Sequence, residues 1–437
     1  MGSAEHTNER TCGGDGFVDA RGALVIPPGS EYKQQYAHLK VKAVVGAATI
    51  VSVLELSEEM EDVVLIGTLF KCMPKKHTIL DEYVKEAWVA PPTIAASYAS
   101  ADDSLILEDD SGRVNLTGSK EVLRVGTVVT GVVVGVRGGL NADGEFEVTQ
   151  VYYPGTDAVP RVVPVSDESA PDKMMLLVSD LGIGANDSSS QLARDLLMDW
   201  VAGAVGDGPE VGLAAAVERV VIAGNALAAG DAPETRKVNQ APRLAMDAIS
   251  ELDAFVAGIA ACVPVVVMSG GNDPTNFFHP LQALHRSLLP KAGRFETLTL
   301  APSPYAFDLG DIRVAGECGD AINDVRRYVD AETAGDPAGL VSSIVQWRHT
   351  APTAPETLAA YPFKDNDPFI LDEVPNVYFA GAQPQFGVTG AACNAGASTC
   401  VAVPSFRTTH TAVLVALTAA GAVHSVTPLK FEVNAQE

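Results

Sequence analysis

Residues 263–273 read VPVVVMSGGND, an apolar run that ends in a loop of glycine and short polar side chains. Such a run, bounded by Gly, is typical of a buried strand in an α/β domain. The same form recurs in MMLLVSDLG at 174–182, RVVIAGN at 219–225 and NVYFAGAQP at 376–384. Because apolar strands of this kind alternate with helical patterns, the sequence predicts an α/β domain over residues 172–437, after a Pro-rich stretch at 160–171.

A helix is predicted soon after the strand at 174–182. We interpret Ser188–Ser190 as its cap, since serine side chains accept hydrogen bonds from the first backbone amides of a helix. An apolar face follows at helical spacing, formed by Leu192, Leu196, Leu197 and Val201.

The region between residues 63 and 160 has a different residue pattern, with short runs of β-forming residues separated by turn residues. Strands are predicted at 63–66, 105–107, 113–116, 127–136 and 146–148. Gly138-Gly139 and Asn141–Gly144 lie between the last two runs and supply the positive φ angles that a hairpin connection needs. These strands, with a helix-like insert around 79–83, predict a small all-β barrel of OB type over residues 63–160.

The N-terminal part is polar and rich in glycine. Residues 1–30 are predicted to be a flexible tail, and residues 31–62 a helical segment with its helix from Glu31 to Leu56. The first residues lack the basic start and the apolar stretch of a signal peptide. No run of apolar residues is long enough for a membrane span, so we expect no membrane partner.

The chain of 437 residues is strongly acidic, with 55 acidic and 30 basic residues and a formal net charge of −25. A surface of this charge repels a phosphate backbone, so we expect no strong direct binding to DNA. The barrel's one basic stretch, Lys71 to His77, is interpreted as a solvated loop, and the acidic positions of 311–330 as solvated faces. The cysteines, which form no C-x-x-C pair, are expected to be buried or incidental thiols: Cys12, Cys72, Cys262, Cys318, Cys393 and Cys400.

The strand-end loops, defined here as residues 179–182, 223–225, 269–273 and 380–384, decide the interpretation of the site. Their order and spacing resemble the calcineurin-like metallophosphoesterases, whose strand ends carry D-x-H, G-D, G-N-H-[DE] and G-H-x-H. In that family, carboxylates and imidazoles hold two divalent metals. The resemblance places the family's site positions on Asp180, Gly182, Asn225, Gly271, Asn272, Asp273, Ala382 and Pro384.

Most of these positions have lost a side chain that could bind metal. Asn225 stands at the position of the bridging Asp, and Asn272 at that of the catalytic His. His349 loosely matches one further family His. Such sites need several charged or imidazole donors for each ion, so the resemblance predicts an inactivated site with no catalytic, metal-binding or cofactor-binding residue. Taken singly, each loop also reads as an ordinary turn whose glycines serve tight geometry.

An inactive phosphoesterase-like domain preceded by an OB-like barrel resembles the small (B) subunits of eukaryotic replicative DNA polymerases, those of polymerase delta above all. The matching segments are GTLFKCMPKKHTILDEY at 67–83, LILEDDSGRV at 105–114, DPTN at 273–276, RHTAPTAPETL at 348–358, YPF at 361–363 and DPFI at 367–370. The chain departs from the family at GGN (270–272), at FFHP (277–280) and in its N-terminal helix, which matches only weakly.

The resemblance implies a non-catalytic nuclear scaffold in DNA replication and repair. Such a subunit grips the cysteine-rich C-terminal region of the polymerase catalytic chain and also holds a third, accessory subunit. One alternative is an active metal-dependent phosphoesterase or nuclease, against which Asn225, Asn272, Ala382 and Pro384 argue. Another is a free-standing binder of single-stranded DNA, which the negative charge disfavours.

Overall fold

The computed structural model describes Val41, Val45 and residues 48–76, 96–154, 171–185, 187–229, 241–363, 367–393, 396–418 and 423–432. The predicted tail at 1–30 and the insert around 79–83 lie outside these residues. Val41 and Val45 are helical, but the predicted helix does not reach Leu56. Instead Ile50 pairs with Val64, and a 3-10 turn spans Val53–Glu55. The β-branched residues of this stretch favour extended backbone, which explains the difference.

The predicted barrel is present and closed. Its strands are β1 (Val63–Cys72), β2 (Ser104–Glu108), β3 (Arg113–Gly118), β4 (Val133–Leu140) and β5 (Phe146–Tyr152), in the order β1-β2-β3-β5-β4. Its interior is filled by fully buried apolar side chains such as Leu65, Leu107 and Phe146.

Two details of the barrel differ from the prediction. Residues 127–132 are not part of a strand: a 3-10 turn spans Val125–Thr127, and β4 begins only at Val133. Gly138 and Gly139 lie inside β4, and the hairpin turn is formed by Asn141–Gly144 alone. There the Gly144 amide donates to the Asn141 carbonyl at 3.1 Å, and Gly144 has a φ of 76°.

The rest of the chain forms two sheets. Their strands are β6 (Pro171–Val178), β7 (Val217–Ala223), β8 (Val265–Met268), β9 (Leu298–Ala301), β10 (Tyr305–Leu309), β11 (Ile312–Glu317), β12 (Val377–Gln383), β13 (Gly387–Cys393), β14 (Gly396–Pro404), β15 (Thr411–Thr418) and β16 (Val423–Lys430). One sheet has six strands in the order β16-β15-β6-β7-β8-β9, and the other has five in the order β10-β11-β12-β14-β13. The four strands predicted in this region correspond to β6, β7, β8 and β12.

The described helices are α1 (Ser188–Val201), α2 (Gly208–Ala215), α3 (Ala241–Ala260), α4 (Asp320–Arg326), α5 (Ala331–Ala334), α6 (Pro337–Trp347) and α7 (Phe406–Thr409), with 3-10 turns at Arg286–Leu288 and Ala292–Arg294. The cap of α1 is Asp187 and not Ser188–Ser190, because its carboxylate accepts the Ser189 amide at 3.1 Å. Leu192, predicted to lie on the apolar face, is exposed. Among the helices described here, none combines the length and apolarity that crossing a membrane requires.

The two sheets face each other across one apolar layer. Leu177, Val221 and Val266 of the six-stranded sheet pack against Phe307 and Phe379 of the five-stranded sheet. Helices α1 and α3 cover the outer face of the first sheet, and α4 and α6 that of the second. The region is therefore a two-sheet α/β sandwich with helices outside.

The barrel is tied to the sandwich around Tyr328. The Tyr98 ring meets the Tyr328 ring edge-on at 5.6 Å, and the Arg327 guanidinium lies 4.4 Å from the Tyr98 ring centroid. Lys71 donates from Nζ to the carbonyls of Tyr328 at 2.6 Å and Val128 at 3.3 Å. Lys71 is thus buried in the junction, and its interpretation as part of a solvated loop is wrong.

Candidate functional site

The strand-end loops meet although they come from both sheets. The Ser179 hydroxyl donates to the Ala223 carbonyl at 2.7 Å, and the Ala382 amide donates to Ser179 Oγ at 2.9 Å. The Asn272 amide donates to Asn225 Oδ1 at 3.0 Å. The structure therefore joins in one place all the loops that the sequence singled out.

Asp180 is buried at the centre of this convergence. It has a φ of 52°, and its amide donates to the Gly224 carbonyl at 3.1 Å. Its carboxylate accepts the Ser405 hydroxyl at 2.6 Å, and the Arg407 Nε lies 3.8 Å from the same oxygen. The carboxylate is therefore engaged by groups of the chain itself.

Gly182 leaves room for the side chain of Arg407. A Cβ at Gly182 would lie 2.8 Å from Arg407 Cγ, closer than such atoms approach each other. Gly182 also has a φ of 63°, a conformation that favours glycine. The space that a side chain at position 182 would need is thus occupied by the aliphatic part of Arg407.

The second loop (223–225) and the third loop (269–273) pack closely against each other. A Cβ at Gly270 would lie 2.5 Å from Asn225 Oδ1, and one at Gly271 would lie 2.9 Å from Asp320 Oδ2. Asn225 has a φ of 53°, which a short polar side chain tolerates better than most. Gly270 is therefore needed for the close approach of these two loops, whereas Gly271 lies against the carboxylate of Asp320.

Asp273 links these two loops by hydrogen bonds. Its Oδ1 accepts the Leu227 amide at 3.0 Å, and its Oδ2 accepts the Gly270 amide at 2.8 Å. Burial raises the pKa of Asp273 to about 6, although the amide hydrogen bonds act in the opposite direction. Both carboxyl oxygens are used to hold backbone.

The fourth loop begins later than the sequence suggested. Strand β12 continues through Ala382 to Gln383 with a register shift after Ala380, and Pro384 is exposed just beyond it. The Arg326 guanidinium donates to Gln383 Oε1 at 2.6 Å. Helix α4 therefore fastens this loop from its side.

His349 is held by its own segment of chain. Its Nε2 lies 3.0 Å from Asp367 Oδ2, and its Nδ1 accepts the Ala351 amide at 3.3 Å. Neither partner belongs to the strand-end loops.

Sequence reasoning missed a fifth loop that reaches the site from the end of β11. A Cβ at Gly319 would lie 2.7 Å from the Gly381 carbonyl carbon. His279 Nε2 lies 3.7 Å from Asp320 Oδ2, and burial lowers the pKa of His279 while the Asp320 charge raises it. Residues 312–320 read IRVAGECGD, an apolar run followed by glycine and acidic residues, and that pattern could have pointed to this loop.

Comparisons with known proteins identify the family. One family model, DNA polymerase delta subunit OB-fold domain, matches residues 30–151, and another, for the B subunit of DNA polymerase alpha/epsilon, matches residues 175–388. The DNA polymerase delta small subunit of Arabidopsis thaliana is 40% identical over 336 residues, which are 75% of this chain and 73% of that protein. The chain belongs to the DNA polymerase delta small subunit family.

Two further relatives agree with this assignment. The DNA polymerase delta small subunit of Oryza sativa subsp. japonica is 36% identical over 80% of this chain and 77% of its own length. The DNA polymerase delta subunit 2 of Drosophila melanogaster is 32% identical over 81% of this chain and 80% of its own length. The resemblance to the polymerase delta small subunits and the OB-type barrel are thereby confirmed.

In this member of the delta small subunit family, the side chains where the loops converge are engaged by other groups of the chain. Across the described part of the chain, no three His, Cys, Asp or Glu side chains gather as the ligands of a metal ion. The polar groups that do lie here, Asp180, Asn225 and Asp273, bind a hydroxyl or backbone amides. What this arrangement does chemically is hold loops of two sheets together.

Proposed function

We propose that this chain is a non-catalytic scaffold subunit of a replicative DNA polymerase of the delta type. In this proposal, residues 63–160 form its OB-like domain, and residues 172–437 form an inactive phosphoesterase-like domain. The scaffold acts in the nucleus in replication and repair synthesis. It binds the cysteine-rich C-terminal region of the catalytic chain and a third, accessory subunit.

One observation carries the non-catalytic part of the proposal: Arg407 occupies the space beside Asp180. Its aliphatic carbons fill the place of a side chain at Gly182, and its Nε is 3.8 Å from the Asp180 carboxylate. A guanidinium is a permanent cation, so it repels a divalent metal from the one carboxylate that the first loop retains.

The remaining positions support the same conclusion. Asn225 replaces the carboxylate that would bridge two metals, and its Oδ1 is already bound by the Asn272 amide. Ala382 and Pro384 have no donor atom in their side chains. A binding surface needs a well-packed fold and no metal, which is consistent with a scaffold that kept the fold and lost the chemistry.

The first test measures metal and turnover on the purified chain. We expect no stoichiometric Mn, Fe or Zn by elemental analysis, and no hydrolysis of a phosphodiester such as bis-p-nitrophenyl phosphate. Two bound metals, together with turnover that Asp180→Ala abolishes, would establish the active phosphoesterase or nuclease alternative instead.

The second test measures assembly. The full chain, tagged and co-expressed with the catalytic and accessory chains of a delta-type polymerase, is expected to co-purify with both at stoichiometric amounts by mass spectrometry. Because the net charge is −25, the chain alone is expected to bind single-stranded DNA negligibly at physiological salt. A chain that binds DNA at micromolar concentration and captures neither polymerase chain would contradict the proposal.

A further inference from the structure

Residues 48–61 pack against the barrel beside the start of β1, and they expose a strip of apolar side chains. Leu54 is 80% exposed, and Ile50, which pairs with Val64, is 37% exposed. Four more apolar residues of the strip are half-buried: Val51, Val53, Leu56 and Met60. Contiguous apolar residues at a surface, rimmed by polar ones, mark sites of interaction. These residues together are called the apolar strip.

Hydrogen bonds to the barrel hold the apolar strip in place. The Val53 amide donates to Asp109 Oδ2 at 2.7 Å. The Leu54 amide donates to Ser111 Oγ at 3.0 Å. Because the backbone around Leu54 is bound to the loop after β2, the strip is formed before a partner arrives. A surface that is already ordered loses less conformational entropy on binding.

Carboxylates form the rim of the apolar strip. Eight of them lie in residues 48–62 and 108–113: Glu55, Glu58, Glu59, Glu61, Asp62, Glu108, Asp109 and Asp110. Arg113 and Arg137 lie beside them, but Arg113 is paired with Glu108 at 3.2 Å and Arg137 with Asp62 at 2.6 Å. Within the described part of the chain, Glu58, Glu59 and Glu61 have no ion-pair partner. The rim therefore retains an excess of negative charge.

We propose that the apolar strip binds a basic segment of one of the two polymerase chains, in which large apolar side chains are flanked by lysine and arginine. The apolar side chains of that segment cover Leu54 and Ile50, and its cations pair with the carboxylates of the rim. An apolar centre with a polar rim of complementary charge is the usual composition of a protein interface. The inference rests on the proposed scaffold function, and it adds the surface and the kind of segment that binds there.

The charge of the rim argues against other occupants. A second copy of this chain would bring the same carboxylates against each other, and like charges that face each other weaken an interface. Nucleic acids and anionic lipids are repelled for the same reason. The chain's own residues 1–40 have five acidic and four basic residues, so they offer no excess of positive charge. A basic segment of another polypeptide matches both the apolar centre and the acidic rim.

The test is quantitative reconstitution of the full chain with the catalytic and accessory polymerase chains. Leu54→Ala removes the most exposed apolar side chain of the strip. Glu58→Lys/Glu59→Lys reverses the charge of two exposed residues of the rim. Affinity for each polymerase chain is measured at several salt concentrations, and the melting temperature is measured for each variant.

We expect Glu58→Lys/Glu59→Lys to weaken binding of one polymerase chain about tenfold or more, and to reduce the salt dependence of that binding. Leu54→Ala is expected to weaken the same binding about threefold to tenfold, because less apolar surface is buried. Since Leu54 is 80% exposed, its substitution should leave the melting temperature unchanged.

Helix α1 provides matched controls on the sandwich. Leu192 is an exposed leucine, and Asp195 and Asp199 are exposed carboxylates. Leu192→Ala and Asp195→Lys/Asp199→Lys therefore make the same chemical changes away from the barrel, and both are expected to bind like the unmodified chain. Equal losses in the strip variants and the controls, or a loss in neither, would overturn the proposal.

Two further outcomes separate the possible failures. If the unmodified chain assembles with neither polymerase chain, the scaffold function itself is wrong, and this inference fails with it. If the chain assembles with both and the strip variants bind as tightly as the unmodified chain, only this inference fails. Sedimentation velocity tests a second copy as the occupant: a dimer of the chain alone that Leu54→Ala dissociates would contradict the proposed basic segment.

Discussion

Single residues at the strand ends hold separate segments of the chain together. Asp180 and Asn225 both have positive φ, and each accepts a hydrogen bond that joins separate segments of the chain. We expect Asp180→Ala and Asn225→Ala each to lower the free energy of unfolding by about 1–3 kcal/mol, because a buried partner is left unpaired. Chemical denaturation measures the change, with the exposed Asp110→Ala as control.

Assembly distinguishes this structural role from a catalytic one. Both variants should still bind the polymerase chains and support polymerase activity. A variant at Asp180 with unchanged stability and assembly, but with a phosphoesterase reaction lost, would contradict the structural role.

Glu317 makes stability depend on pH. Burial and the nearby Asp320 charge raise its pKa to about 8, and its Oε1 has no hydrogen-bond partner in the described chain. Between about pH 4.5 and pH 8 the folded chain keeps a proton on Glu317 that the unfolded chain releases, so stability falls as pH rises. We expect the free energy of unfolding to fall less between about pH 5 and pH 8 in Glu317→Gln than in the unmodified chain. The difference is expected to be on the order of 1–3 kcal/mol.

Denaturation midpoints at about pH 5 and about pH 8 test this expectation, with Glu121→Gln as the exposed control. A decline equal in the unmodified chain and in Glu317→Gln would show that Glu317 does not titrate in this range.

At the scale of elements, the two sheets are joined where Gly381 of β12 crosses the ends of β6 and β7. A Cβ there would lie 2.8 Å from the Cys318 carbonyl oxygen and would also press on Ala223 and Ser179. We expect Gly381→Ala to lower the free energy of unfolding by about 1–3 kcal/mol through overpacking. Thermal denaturation measures it.

Gly212 provides the matched control for this substitution. It lies in α2 with open space around the Cβ position, so Gly212→Ala is expected to raise stability by about 0.5–1 kcal/mol. A loss of stability for Gly381→Ala together with a gain for Gly212→Ala would support the close crossing of β12 over β6 and β7. Equal small changes in stability would contradict it.

At the scale of the whole molecule, the barrel and the sandwich share one apolar cluster. It runs from barrel residues such as Leu65 to Tyr328 and to Trp347 of α6. Lys71 lies in this junction, where burial lowers its pKa and Asp103 at 3.6 Å raises it. We expect the chain to unfold in one cooperative transition.

We expect Lys71→Met to destabilise the junction by about 2 kcal/mol or more and to separate barrel unfolding from sandwich unfolding. Differential scanning calorimetry resolves the transitions, with the exposed Lys120→Met as control. Two transitions already present in the unmodified chain would show that the junction does not couple the two parts.

By itself the sequence determined that an OB-type barrel precedes an α/β region, and it singled out four loops that the structure brings together. Apolar runs that end in glycine and polar residues located β6, β7, β8 and β12, because burial on both faces leaves a local compositional pattern. The turn at Asn141–Gly144 could likewise be read locally, since its φ requirement is met by neighbouring residues. That Asn225 and Ala382 stand where the phosphoesterases carry metal ligands was also inferred from residue types, and it stays a prediction.

Only the tertiary structure decided which groups surround those residues. Arg407 fills the space at Gly182, Asp273 binds the second loop, and Lys71 and Glu317 are buried although charge patterns suggested solvated surfaces. A cavity that Tyr378 lines is also formed by segments far apart in the chain. The burial and pairing of a side chain depend on which distant segments of the chain come together. A local sequence pattern does not contain that information.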